Sequence, residues 1–211
     1  MKDHSSEGEI ASIYDFIFNP FLGQVHRSIV NYANKYNCRL IIDIGSGTGA
    51  QARALAEKGF SVTGVDASIK MIAVARKKSD KSITFIHDDI ISVNIPENTF
   101  DAAILNLVLH PNTKETIEKI LLKAKTIIKK DGMVFITDYG VGNGFYGKIA
   151  SGIMGIIESF AKPDHKTNYH AFMKHNGINH FLSKPTLQLF EKKQYFHGAL
   201  QTLAFKFKNN E

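Results

Sequence analysis

Leu40-Ile41-Ile42-Asp43-Ile44-Gly45-Ser46-Gly47-Thr48-Gly49-Ala50 is an apolar run that stops at an acid and then turns through three glycines. From Cys38 to Ile44 the chain is apolar and rich in β-branched residues, the composition of a short strand buried on both faces of a parallel sheet. Gly45, Gly47 and Gly49 permit a tight turn whose backbone can lie directly against a ligand, because no Cβ stands in the way. Ala50 to Lys58 is strong helix-forming sequence. Strand, glycine turn and helix start, in that order, aim N–H groups and a partial positive charge at a carboxylate or phosphate.

On the C-terminal side the same alternation repeats. Phe60 to Val65 reads as a second buried strand closing on Asp66, and Ser68 as the N-cap of a helix carrying Ile69, Ile72, Ala73 and Arg76. Ser82 to Ile86 is a third strand, leading to His87-Asp88-Asp89-Ile90. Pro96-Glu97-Asn98 marks a turn. Phe100 to Leu105 is a fourth strand, followed by Asn106 to His110. Thr113 to Lys129 is a long helix with Ile117, Ile120, Leu121, Ala124 and Ile128 inward. Asp131-Gly132 turns the chain into a fifth strand, Met133 to Asp138. Alternating strands and helices predict an α/β doubly wound parallel sheet with right-handed crossovers, whose ligands sit at the carboxyl ends of the strands. Asp43 to Gly49, Asp66, Asp89, Asn106 and Asp138 all fall at such ends.

The flanks read differently. Glu9 to Phe18 is a short amphipathic helix, broken at Asn19-Pro20, and Phe21 to Tyr36 is a second. Gly140 to Lys162 carries a helical stripe of Phe145, Ile149, Ile153, Ile156, Ile157 and Phe160 interrupted by Gly147, Gly152 and Gly155, which predicts an element that is mobile or closely packed. Asn168 to Asn176 reads as a further helix. Thr186 to Phe196 and Ala199 to Phe207 fit an antiparallel hairpin added to the sheet edge. We therefore expect one domain over 1–211: N-terminal helices or lid at 1–37, a ligand-binding core at 38–139, a helical cap at 140–182 and the hairpin at 183–211.

With 211 residues and ordinary apolar content, one α/β domain is the expected size. A single cysteine, Cys38, excludes an internal disulfide and fits a reducing compartment. The first ten residues lack the apolar core of a secretory signal, and no run approaches a spanning helix, so a cytoplasmic protein is expected. From Lys162 onward eight lysines face three acids, which favours an acidic ligand or an anionic membrane surface, or simply maintains solubility. Nucleic acid is disfavoured, because no Arg-rich stripe or stacking motif accompanies the lysines. His165, His170, His175 and His180 recur every five residues, but helical zinc sites use an i, i+4 pair, so no metal is expected.

As an ordered set these motifs resemble the class I S-adenosylmethionine-dependent methyltransferases. Ile42 to Gly49 matches the family's first motif, Val62 to Ser68 its second, and Phe85 to Ile90 its third. From Asp89 through Pro96-Glu97-Asn98-Thr99-Phe100-Asp101 the spacing is that of the quinone-methyltransferase-like subgroup. Ile127 to Gly132 resembles the basic turn before the family's fifth strand. The resemblance covers about Tyr14 to Asp138 and implies a Rossmann-like fold with S-adenosylmethionine as cofactor. It implies that the turn Gly45, Ser46, Gly47, Thr48 and Gly49 donates N–H groups to the cofactor's carboxylate, while Asp43 orders the turn and accepts from the ammonium. Asp66 takes both ribose hydroxyls, Asp89 accepts from the adenine amine and the Ile90 N–H meets a ring nitrogen. Ala67 and Met71 pack on the adenine, and Asn106 and Leu107 lie near the sulfonium. Tyr14, beside Asp15, resembles the tyrosine of an N-terminal lid.

The acceptor is expected to be a small, amphipathic molecule such as a quinol or a lipid amine. Displacement at a sulfonium needs positioning and exclusion of water more than acid–base help. A base is required only if the acceptor is protonated, and His110, Asp138, Tyr139 and His170 are the candidates. Two other classes stay open. Gly45-x-Gly47-x-x-Ala50 with Asp66 also fits a dinucleotide fingerprint, hence an NAD-dependent oxidoreductase, and a non-catalytic protein that binds adenosylmethionine would carry the same pocket.

Overall fold

The computed structural model describes residues 22–159 and 163–208. Its chain divides into two compact units, Met1–Ile95 and Pro96–Glu211. The expected helix at Glu9 to Phe18, the break at Asn19-Pro20, Tyr14, and Phe160 of the apolar stripe lie outside the described residues.

In the first unit, helix α1 (residues 22–35) buries Val25, Ile29 and Ala33 on the stripe that its spacing predicts. It ends at Asn37, which adopts a left-handed backbone. Strand β1 (Leu40–Ile44) follows, then α2 (Ala50–Ala56), β2 (Ser61–Asp66), α3 (Ile69–Lys78) and β3 (Thr84–His87). The three strands are parallel, in the order β3-β2-β1. Register sets Asp43 opposite Gly64 and Asp66 opposite His87, so the acids at the strand ends share one border of the sheet. Ser68 caps α3 as expected, its hydroxyl accepting from the Met71 N–H at 3.4 Å.

The second unit contains β4 (Phe100–Asn106), α4 (Lys114–Ile127), β5 (Ile128–Tyr139), α5 (Gly144–Ser159), α6 (Pro163–Lys174), a 3₁₀ helix (Gly177–Ser183), β6 (Leu187–Tyr195) and β7 (Leu200–Phe207). Strand order is β4-β5-β7-β6, with β4 parallel to β5 and β7 antiparallel to both its neighbours. The seven strands are those of a Rossmann-like sheet, mostly parallel, with a C-terminal antiparallel hairpin. Thr113 caps α4 through a bond from the Thr116 N–H to its hydroxyl. In this unit β6 is the outer strand, bearing Leu189 and Phe190 half out in solvent beside Glu191, Lys192 and Lys193.

One expectation is corrected here. The fifth strand begins at Ile128 rather than after Asp131-Gly132, because that dipeptide is absorbed in a bulge: Phe100 pairs with Ile128, and the next register partner of β4, Ala102, meets Met133. A side chain at Gly132 would meet the Ile128 Cβ and the Lys129 carbonyl at 2.9 Å, so only glycine allows the strand to fold back this tightly. The glycine-interrupted segment forms one continuous helix, α5. Phe145, Ile149 and Ile153 do not fill a core but stand 74%, 45% and 53% exposed. Among the described residues no helix is long and apolar enough to cross a membrane.

Candidate functional site

The glycine turn of the first unit has the conformation that only glycine adopts freely: Gly45, Gly47 and Gly49 have φ of 67°, 53° and 78°. Most of its N–H groups bind it to the end of β2. Gly45 and Ser46 both donate to the Val65 carbonyl, at 2.8 and 3.0 Å, and Gly49 donates to the Ser46 carbonyl at 2.9 Å. The Gly47 N–H donates to Asp66 Oδ2 at 2.8 Å, while Asp66 Oδ1 accepts from the Ser68 N–H at 2.8 Å. The expectation that this turn offers its N–H groups outward is thus altered for Gly45, Ser46, Gly47 and Gly49. Asp66 ties the turn to the cap of α3 and keeps lone pairs for a further donor.

Asp43 differs from everything around it. It is buried, and its Oδ2 has no hydrogen-bond partner. Burial, and secondarily the Asp66 charge, push its carboxyl up to about 7. The nearby Ser46 Oγ is likewise buried without a partner. A buried carboxylate oxygen and a buried hydroxyl in this condition are costly unless a ligand meets them.

Asp89 is exposed and accepts from the Ile91 N–H at 2.8 Å, and Asp88 accepts from the Asp89 N–H at 2.8 Å, so the pair shapes the turn after β3. The Asp88 N–H in turn donates to the Asp66 carbonyl at 3.2 Å, which keeps this turn beside the end of β2. Ala67 is exposed, Met71 half-buried and Ile90 buried.

The supporting contacts of Phe85, Gly64, Arg76 and Arg53 escape the sequence reading. The Phe85 ring lies beneath the turn, so close that a Cβ on Gly64 would approach it to 2.7 Å and one on Gly49 to 2.8 Å. Arg76 donates to the Phe85 carbonyl at 2.7 Å, and Arg53 donates to the Thr48 carbonyl at 2.7 Å, holding the turn from behind. Apart from Arg53 and Thr48, five positions apart, these contacts join residues too distant in sequence for periodicity to reveal.

In the second unit the candidate catalytic residues form one cluster. Asp138 is fully buried, and its Oδ1 lies 2.8 Å from His110 Nδ1 and accepts from the Tyr139 N–H at 2.8 Å. Its Oδ2 accepts from the Leu109 and His110 N–H groups at 2.9 and 3.2 Å. The His110 ring meets Tyr139 edge-on at 4.6 Å between centroids, and Tyr169 closes the group at 5.3 Å from Tyr139. Exposed His170 meets Tyr169 edge-on at 5.5 Å between centroids. Asn168 anchors α6 here by donating to the Pro111 carbonyl at 2.8 Å. At the end of β4, Leu107 has φ 57°, a conformation rare for a bulky residue, held by its N–H bond to the Thr137 carbonyl at 2.8 Å.

Residues 42–136 match the family model described as a methyltransferase domain. A demethylmenaquinone methyltransferase of Tropheryma whipplei is 29% identical over 103 residues, 47% of this chain and 41% of the relative. A glycine N-methyltransferase of Oryctolagus cuniculus is 32% identical over 85 residues, 37% of this chain and 28% of the relative. The match therefore spans less than half the length of these curated relatives. Among solved structures, the plantazolicin methyltransferase BpumL in complex with SAH superposes with a TM-score of 0.68 at 16% identity, covering 98% of this chain and 92% of that one. At such identity the likeness is one of fold.

Proposed function

We propose that this chain transfers a methyl group from S-adenosylmethionine to a small amphipathic acceptor, proceeding from the premise that residues 42–136 belong to the class I S-adenosylmethionine-dependent methyltransferases. The observation that carries the reading is Asp43, a buried carboxylate with one oxygen unpartnered and its proton affinity raised. An ammonium group presented there satisfies the oxygen and holds Asp43 ionised, because an adjacent cation favours the charged form. Ser46 Oγ suits the carboxylate of the same amino-acid moiety. Asp66 has acceptor capacity left for ribose hydroxyls, while Asp89 and Ile90 serve the adenine edge and Ala67 and Met71 its face. When bound, the cofactor supplies a methyl group on a sulfonium, already a good leaving group.

The chain's own task is then to orient an acceptor, exclude water and, where the nucleophile is protonated, remove a proton. His110 suits that last role through Nε2. Asp138 orients the ring, its oxygens being engaged by three N–H groups as well as by Nδ1. Tyr139 and Tyr169 wall the ring, and His170 is the outermost of the candidates. Residues 140–182 act as the acceptor-facing cap. The apolar exposed face of α5 supports a quinol or lipid-like acceptor taken up at an anionic membrane surface.

Calorimetric titration of the chain with S-adenosylmethionine, S-adenosylhomocysteine and NAD tests the reading. The first two should bind and NAD should not. NAD binding alone would make the chain an oxidoreductase, and tight adenosylmethionine binding without turnover on any quinol or amine would make it a binding protein.

A further inference from the structure

A recess lies wholly within the second unit, between the first turn of α4, α6 and the 3₁₀ helix Gly177–Ser183, with a volume of about 210 Å³. Its floor is apolar: Ile117, Phe172 and Phe181 all line it and are buried. Its rim is cationic. Lys114, Lys184, His175 and His180 line the recess, and Glu118 is the one acid among the lining residues. Lys184 is half-buried, with its ammonium over the Phe181 ring at 5.2 Å from the centroid, which fixes the charge at the border of floor and rim.

The local field is positive by a second measure. The His180 ring holds its proton less firmly than usual, first because it is partly desolvated and then because Lys184, His175 and Lys114 repel the charge, with Glu118 opposing them only in part. A ligand with a cationic head would meet the same repulsion, and a fully apolar one would leave the rim unused. The space is below the roughly 300 Å³ at which drug-sized sites begin. A single ring or a short acyl chain fills it.

We infer that this recess binds a compact amphipathic carboxylate, its apolar body on Ile117, Phe172 and Phe181 and its anionic head at Lys114 and Lys184. The inference does not rest on methyl transfer, and its test uses equilibrium binding alone. In the full chain, the Ile117 methyl and His180 ring resonances are followed by NMR while benzoate, benzyl alcohol, benzylamine and acetate are added in turn.

Benzoate should shift both sets of resonances saturably, with at least fivefold tighter binding than benzyl alcohol or acetate and no saturable effect of benzylamine. The double variant Lys114→Gln, Lys184→Gln, checked for native fold by circular dichroism, should weaken benzoate at least fivefold and leave benzyl alcohol unchanged. The site is refuted if benzylamine or benzyl alcohol binds as tightly as benzoate, if acetate does so, if benzoate gives no saturable shift, or if the double variant binds benzoate as the parent does.

Discussion

Asp43 and Asp138 both close an apolar strand and both are buried, yet one has an oxygen with no partner and the other has every oxygen engaged. Around Asp138 the chain has arranged two N–H groups of the β4 exit, the N–H of Tyr139 and an imidazole, so the carboxylate organises the fold locally. Around Asp43 no comparable set exists among the described residues, and the desolvation cost emerges instead as a raised proton affinity. Buried charge therefore has two meanings in one protein: supplied with donors it is architecture, and left without them it awaits a ligand's charge.

The sharpest way to break this contrast is to remove both carboxylates, one at a time. Asp138→Ala strands buried N–H groups and the His110 ring, and should cost about 3–5 kcal/mol in urea unfolding. Asp43→Asn should act with the opposite sign. The native carboxyl at about 7 lies above its ordinary value of 3.8, so the folded state binds the proton more tightly than the unfolded one. Stability from this group is full below about pH 4 and is lost as pH rises to about 7. Ligand-free Asp43→Asn should therefore gain about 1–4 kcal/mol over the parent at pH 8 and flatten the pH dependence of unfolding between about 4 and 7, since each tenfold change in proton affinity is worth about 1.4 kcal/mol. A loss of stability at pH 8 would make Asp43 a second Asp138.

Gly64 stands opposite Asp43 in register and probes whether the surrounding shape matters as much as the charge. Gly64→Ala drives a methyl into the Phe85 ring and the Ser46 hydroxyl, and should cost about 1–3 kcal/mol, with part recovered by Phe85→Leu in a double-mutant cycle. A smaller effect concerns affinity. If an ammonium meets ionised Asp43, calorimetric binding of S-adenosylmethionine should tighten about tenfold from pH 6 to pH 8, and Asp43→Asn should abolish that slope. Smallest in stability is the outer face of α5. Ile149→Asp and Ile153→Asp should change unfolding by less than about 0.5 kcal/mol, as exposed sites do. They should nevertheless lower acceptor kcat/KM while sparing cofactor affinity, and equal loss of both would reject the cap.

The elements that periodicity and local chemistry control are legible in the sequence. The strand ending at Ile44, the three glycines of the turn and the cap at Ser68 all depend on neighbours within a few residues, and all are present. The turn expected at Asp131-Gly132 is a bulge because register with β4, a distant partner, decides it. In α5 the helical stripe is legible from its spacing, but whether Phe145, Ile149 and Ile153 pack or stand outward is not, and they face outward. His110 and Asp138 are legible singly and not as a pair, being 28 positions apart. Gly64 against Phe85 and Arg53 on Thr48 require the packed backbone to be seen at all.

The outer strand β6 has a consequence for handling the protein. Among the described residues no strand pairs with its outward border, whose N–H and C=O groups are a template on which another extended chain can add beside the half-exposed Leu189 and Phe190. Lys192 and Lys193 stand on that strand as electrostatic gatekeepers. Acetylating or neutralising them would remove the repulsion between copies and turn a well-behaved border into a seed for insoluble association.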